Sequence, residues 1–225
     1  MKIAFISDIH SNIEALKSVL EDIEKRKIET IYCLGDMLGY LNKPNEVVDL
    51  IRERDIETII GNNDEDIVLQ NFKGNEIKEW TYKKLTSKNT GFIKNLKKDI
   101  SIVVGDNKLK LVHGSPTSCR EYLKEGEENT FKALMVLQED ILVAAHTHLP
   151  YIDFHNNKMI INCGSVGKPK FGSPNASYAV ISIEENDVIA EIVEVEYDVE
   201  AAVASLEENG FSAELIEEIR TGGKK

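Results

Sequence analysis

Residues 1–12 read MKIAFISDIHSN: an apolar run from Lys2 to Ser7 that stops on Asp8-Ile9-His10. Its length suits a buried strand. Beyond it Ile13, Leu16, Val19, Leu20 and Ile23 recur at helical spacing, predicting a helix over 12–25 capped by Ser11 or Asn12. The cycle repeats with a strand over 30–34, a helix over 45–54 started after Pro44, and a strand over 56–60. Such alternation predicts parallel strands with right-handed crossovers, the hand that lets a helix pack back onto a right-twisted sheet.

The rhythm changes after Asp64. Residues 65–98 hold no strand pattern, and Ile77, Trp80, Tyr82, Leu85, Phe92, Ile93 and Leu96 predict helices, read as an insertion beside the sheet. A hairpin follows over 100–112, turning at Gly105-Asp106-Asn107, then a helix over 129–138 and a buried strand over 141–145. Two more hairpins turn at Asn156-Asn157 and at Glu185-Asn186-Asp187, and two acidic helices (about 199–208 and 212–220) close the sequence. With no repeat and no linker rich in Gly, Pro or Ser, one domain over 1–225 is expected.

Composition narrows the function. A chain of 225 residues, 42% hydrophobic, can bury its own core. A net charge of −12 opposes binding to a nucleic-acid duplex, which needs clustered Lys and Arg. An anionic substrate would need local cations to reverse that field, and bound metal ions do so best. Cys33, Cys119 and Cys163 stand at no ligand-like spacing and read as thiols of a reducing compartment. No apolar run approaches the ~20 residues of a membrane span. The protein is expected in the cytoplasm, away from membranes.

Polar residues gather where strands end. Asp8 and His10 follow the first strand, Gly35-Asp36 the second, and Gly61-Asn62-Asn63-Asp64 the third. His113-Gly114 and His146-Thr147-His148 end two later strands. The carboxyl ends of strands form the ligand crevice of open α/β sheets. Four of the five histidines lie at these ends; His155, inside a hairpin, reads as a surface or packing residue. Each element alone has a plain alternative: a turn, a helix cap by Asp64, a satisfied histidine. The His146-x-His148 pair, if extended, would point both rings the same way. It is the ordered set that points to a metal centre.

These motifs resemble the calcineurin-like metallophosphoesterase superfamily, whose ordered signature is Asp-x-His, Gly-Asp, Gly-Asn-His-Asp or -Glu, a later His, and Gly-His-x-His. The resemblance runs from Lys2 to about Ile183 and implies a four-layer α-β-β-α sandwich, two packed mixed sheets flanked by helices. Residues 162–169 (NCGSVGKP) and the tail from Tyr197 look like the compact prokaryotic phosphodiesterase branch, which includes predicted diadenosine tetraphosphate hydrolases. Position by position, the resemblance implies one metal on Asp8, His10 and His148, Asp36 as the bridge, and Asn62, His113 and His146 on the second metal. It implies two divalent transition-metal ions, and the mixed donors suit Mn, Fe, Co, Ni or Zn. A hydroxide held between the two cations would attack phosphorus directly.

Two departures stand out. Asn63 replaces the family's His, which removes a proton shuttle and favours good leaving groups; Ala145 replaces the Gly before His146. Asn63, Gly164, Ser165, Lys168 and Arg120 are the expected substrate contacts, with Lys170 and Tyr122 beside them. Trp80 and Tyr82 serve either core packing or base stacking. The expected substrate is a small phosphorylated molecule, a diester or nucleotide anhydride, with diadenosine tetraphosphate one candidate. Two alternatives remain: a phosphomonoesterase or protein phosphatase, and a non-catalytic scaffold like the retromer subunit of this fold. The acidic tail helices leave monomer and homo-oligomer open.

Overall fold

The computed structural model describes residues 1–184 and 187–223, so Glu185 and Asn186 of the expected last hairpin turn lie outside the described residues. The chain runs β1 (Lys2–Ile6), α1 (Ile13–Lys25), β2 (Thr30–Cys33), α2 (Pro44–Glu53) and β3 (Glu57–Thr58). Helices α3 (Asn62–Val68), α4 (Glu76–Lys84) and α5 (Ser87–Lys94) follow, then β4 (Asp99–Val104), β5 (Asn107–Val112) and α6 (Glu128–Val136). The remainder is β6 (Ile141–Ala144), β7 (Tyr151–His155), β8 (Lys158–Asn162), β9 (Ala176–Glu184), β10 (Asp187–Val195), α7 (Val199–Glu208) and α8 (Ala213–Thr221).

Two five-stranded sheets form, in the orders β10-β9-β1-β2-β3 and β4-β5-β6-β8-β7. The pairs β1–β2, β2–β3, β5–β6 and β6–β8 are parallel and the rest antiparallel, so both sheets are mixed. Period-two alternation sorts the side chains into layers. On β1, Ile3 and Phe5 join a core with Leu109, Leu111, Ile141, Val143 and Ile161 of the second sheet, while Ala4 and Ile6 pack with α1 and α2. On β6, Leu142 and Ala144 face Leu134 of α6 instead. The result is helix, sheet, sheet, helix, as the resemblance implied.

Helix α1 shows how the sequence enforces this. Asn12 caps it by accepting from the Ala15 amide at 3.1 Å, and Ile13, Leu16, Val19, Leu20 and Ile23 are all buried. Each fully buried aliphatic side chain contributes about 1.5–3 kcal/mol of transfer free energy. The third strand is shorter than expected because Ile59 and Ile60 divide their bonds: Ile59 N–H donates to Cys33 and Ile60 N–H to Lys97. Trp80 meets the edge of Phe211 and Tyr82 packs on the α1–α2 core, so both insertion aromatics serve packing. His155 stacks on Phe131, the packing one of the two roles its position left open.

Candidate metal centre

The carboxyl ends of β1, β2, β5 and β6 converge at one edge of the sandwich. The loops after β1 and β2 are laced together: Asp8, His10 and Ser11 amides donate to the carbonyls of Gly35, Asp36 and Met37 at 3.0, 3.0 and 2.8 Å. Asp8, His10, Asp36, His146 and His148 all adopt the left-handed backbone region, with φ between 50° and 67°. Such conformations cost on the order of 1–3 kcal/mol each in non-glycine residues and persist where surrounding structure forces them. This corrects the extended reading of His146-x-His148. The left-handed turns send the two rings to different groups, His146 to Asp36 and His113, and His148 to Asp8 and His10.

Within each of those two groups the ligand atoms lie within 4.8 Å of one another. His148 Nε2 is 3.1 Å from both Asp8 Oδ1 and His10 Nε2. Asp36 Oδ2 lies 3.4 Å from His113 Nε2 and 3.9 Å from His10 Nε2, so Asp36 stands between the groups. Asn62 Oδ1 is 3.1 Å from His113 Nε2.

Three imidazoles have their tautomers set from behind. Nδ1 of His10, His113 and His148 lies 2.9, 2.8 and 2.5 Å from the carbonyls of Leu38, Leu34 and Lys168. A carbonyl only accepts, so each Nδ1 carries a proton and each Nε2 faces the cluster, where that of His113 must still shed a proton before it can bind a cation. Two bare Nε2 atoms then oppose each other at 3.1 Å, and the buried Asp8 Oδ1 accepts no hydrogen bond. Converging lone pairs on buried, otherwise unpartnered atoms fit a cation. The donor set, imidazole with carboxylate and amide, fits a divalent transition metal.

Protonation follows the same geometry. Burial pushes the Asp8 carboxyl up, but His148 and then His10 outweigh it and hold it well below the usual range. Asp36 is likewise depressed, its burial overcome by His113. Burial lowers His113, yet Asp36 raises it to about 9; His146 falls to about 4 through burial and the neighbouring His113. Asp64, buried beside the cluster, rises to about 6 through burial and Asp36, and accepts from the Met37, Leu38 and Gly61 amides. It caps α3 and holds the loop whose Leu38 carbonyl orients His10.

The cluster opens into a cleft of about 170 Å³ lined by Asp36, Asn62, Asn63, His146, His148, Tyr40, Tyr122, Asn75, Lys78 and Lys170. Tyr122 stacks on His146 at 4.1 Å between centroids, and Tyr40 meets His10 edge-on at 4.7 Å. Asn63 is at the cleft, but its side chain donates to Asp36 Oδ2 at 2.5 Å and its amide to Oδ1 at 2.7 Å. Lys170, at the rim, is held below the usual lysine range, first by loss of water around it and then by Lys168.

Four of the expected substrate contacts, Gly164, Ser165, Arg120 and Lys168, do not line this cleft. Gly164 and Ser165 are buried, and the amides of residues 164–167 are donated inward, to Asn162, Ser177, Ser7 and Asp8. This turn supports the Asp8–His10 loop from beneath; Ser165 Oγ also donates to the Asp8 carbonyl at 2.8 Å. Arg120 is held away from the cleft by Asp66 at 2.8 Å and Glu65 at 3.0 Å. Lys168 is buried, pairs with Glu218 and lies over the Tyr40 ring. Tyr40, Asn75 and Lys78 were missed because loop and insertion residues carry no ligand-like spacing.

A convergent cluster of this kind, at the strand ends of an α-β-β-α sandwich, could hold two divalent metal ions. The sequence profile of the calcineurin-like phosphoesterase superfamily domain matches residues 1–186. An uncharacterised protein of Methanocaldococcus jannaschii is 35% identical over 224 residues, 89% of each chain. Phosphodiesterase YfcE of Escherichia coli is 27% identical over 202 residues, 85% of this chain and 91% of its own. The crystal structure of a metallophosphoesterase from Sphaerobacter thermophilus superposes with a TM-score of 0.84 at 27% identity, covering 99% of both chains. The chain belongs to the calcineurin-like phosphoesterase superfamily.

Proposed function

We propose that this protein is a two-metal phosphodiesterase or nucleotide phosphoanhydride hydrolase. The observation that carries the reading is the pair of bare Nε2 atoms of His10 and His148 at 3.1 Å beside the unpartnered Asp8 Oδ1, with Asp36 reaching towards both ligand groups. Asp8, His10 and His148 would hold one cation, Asn62, His113 and His146 the other, and Asp36 would serve both. Two such cations supply an activated water and positive charge for the phosphoryl oxygens. The protein's own part is orientation. Leu34, Leu38 and Lys168 carbonyls aim the imidazoles, and Asn63 steadies Asp36. Asn63 cannot shuttle a proton, which favours aryl or phosphoanhydride leaving groups over alkyl ones.

Residues 1–225 act in this reading as one metallophosphoesterase domain with a helical insertion over about 65–98. No described helix is long and apolar enough to cross a membrane, and the free cysteines suit a reducing compartment, so we place the protein in the cytoplasm. Metal-stripped protein should hydrolyse bis-p-nitrophenyl phosphate and diadenosine tetraphosphate only after Mn²⁺ is restored, with weak activity on p-nitrophenyl phosphate. Binding of two ions without turnover of any ester would overturn the enzyme reading in favour of a scaffold.

A further inference from the structure

The metal cleft does not end at its ligands. Past Tyr122 and Lys170, which line both spaces, it continues into a groove of about 390 Å³. Three lysines line that groove (Lys124, Lys168 and Lys170) against one carboxylate, Glu218, in a chain whose net charge is −12. Leu149 and the Tyr122 ring complete the wall. Lys124 has Glu127 at 3.6 Å and Lys168 pairs with Glu218, but Lys170 has no carboxylate counterpart among the described residues.

Glu218 arrives from the far end of the chain. It lies near the end of α8, beyond the residues matched to the superfamily, and α8 is pinned at its terminus. Gly222 takes a left-handed φ of 66°, and its carbonyl accepts from the Gly172 amide at 2.9 Å. A Cβ on Gly222 would lie 1.8 Å from the Ser173 carbonyl oxygen, so only glycine permits this approach. The Lys168–Ser173 loop and α8 are thus locked together, and the Glu218 carboxylate meets Lys168 inside the groove.

We infer that this groove is a subsite for a second phosphate of the substrate, and that Glu218 stands on Lys168 where that phosphate binds. The inference rests on the phosphoesterase reading and narrows it to substrates with a further anionic phosphate beside the scissile one. A phosphoanhydride chain has that feature; an aryl diester, with its single monoanionic phosphate, lacks it. The lysines serve as charge and hydrogen-bond donors, and no covalent step is involved.

The test uses the chain of residues 1–225. Glu218→Gln removes the competing charge and should tighten inorganic tripolyphosphate binding about tenfold, measured by isothermal titration without added metal. Lys124→Met should weaken it several-fold. With Mn²⁺-loaded protein, the ratio of kcat/KM for diadenosine tetraphosphate to that for bis-p-nitrophenyl phosphate should rise in the first variant and fall in the second. Both ratios and both Kd values staying within twofold of the wild type would overturn the subsite. Loss of all metal-dependent hydrolysis in the wild type, with the shifts in Kd intact, would instead overturn the enzyme reading and leave the anion site standing.

Discussion

Substituting Gly167 by Ala tests whether the turn after β8 holds the metal loop in place. A Cβ on Gly167 would lie 1.8 Å from the Ile9 carbonyl oxygen and 2.9 Å from Asn12 Cβ. Opening the first contact to 3.0 Å demands a displacement of about 1.2 Å, and the atom in the way is backbone. Ile9 sits between Asp8 and His10, so the displacement falls on two proposed ligands at once. It also strains the Gly167 amide bond to the Asp8 carbonyl, 2.9 Å long. A misplacement of about 1 Å costs on the order of a hundredfold in rate. Overpacking costs about 1–3 kcal/mol, which in a chain of this size lowers Tm by roughly 2–12 °C. Gly167→Ala should therefore remain folded at 25 °C while losing about two orders of magnitude in kcat/KM for bis-p-nitrophenyl phosphate, with reduced bound metal. Gly91→Ala in α5 is the control: its Cβ would meet nothing within 4 Å, and the change should raise stability by about 0.5–1 kcal/mol with activity intact. A Gly167→Ala enzyme within threefold of wild-type activity would refute the argument.

Three further outcomes follow from the same geometry. Asp36→Asn should lower kcat/KM by more than a hundredfold and reduce bound metal, with an unchanged circular dichroism spectrum; near-normal turnover would refute the shared role of Asp36. Asn63→His should leave metal content unchanged and raise turnover of an alkyl phosphate at least tenfold, by restoring a proton donor at the cleft; no gain would count against that account of position 63. In the metal-free protein His113 is raised to about 9 by Asp36 against its burial, so it is protonated at pH 7.5 and must release that proton to bind a cation through Nε2. Its raised value stabilises the metal-free fold below its unfolded value near 6.5, and that contribution is lost as pH climbs through about 9. Mn²⁺ titrations at pH 7.5 in buffers of different ionisation enthalpy should accordingly report release of about one proton, and none would refute the His113 assignment.

The residues legible in the sequence are those whose role depends on type and on a place at a strand end. Asp8, His10, Asp36, His113, His146 and His148 could be singled out because each interrupts an apolar run with a metal-ligand side chain. The backbone that aims them was not legible: nothing in Asp-Ile-His or His-Thr-His announces a left-handed φ, which arises only when the loops after β1 and β2 exchange backbone bonds. The turn at Gly164–Gly167 was misread for a related reason. Glycine-rich turns suggest amides free to meet an anion, and whether those amides are free depends on what lies above them. Here the Ser7 and Asp8 carbonyls do.

The charged residues near the cleft divide according to what already holds them. Arg120 follows His113 by seven residues and looked like a substrate contact, but α3 places Glu65 and Asp66 in its path, and two carboxylates at about 3 Å leave its guanidinium no need of a phosphate. Lys168 looked equally available and proves to be paired, yet its partner differs in kind. Asp66 is largely buried and also holds Lys78, so releasing Arg120 would leave a desolvated carboxylate short of a partner. Glu218 is a half-exposed carboxylate on a terminal helix, and water can take over from Lys168 at little cost when an anion displaces it. Of these salt bridges near the cleft, then, only the Lys168–Glu218 pair is built to open, and its opening is what would admit a second phosphate.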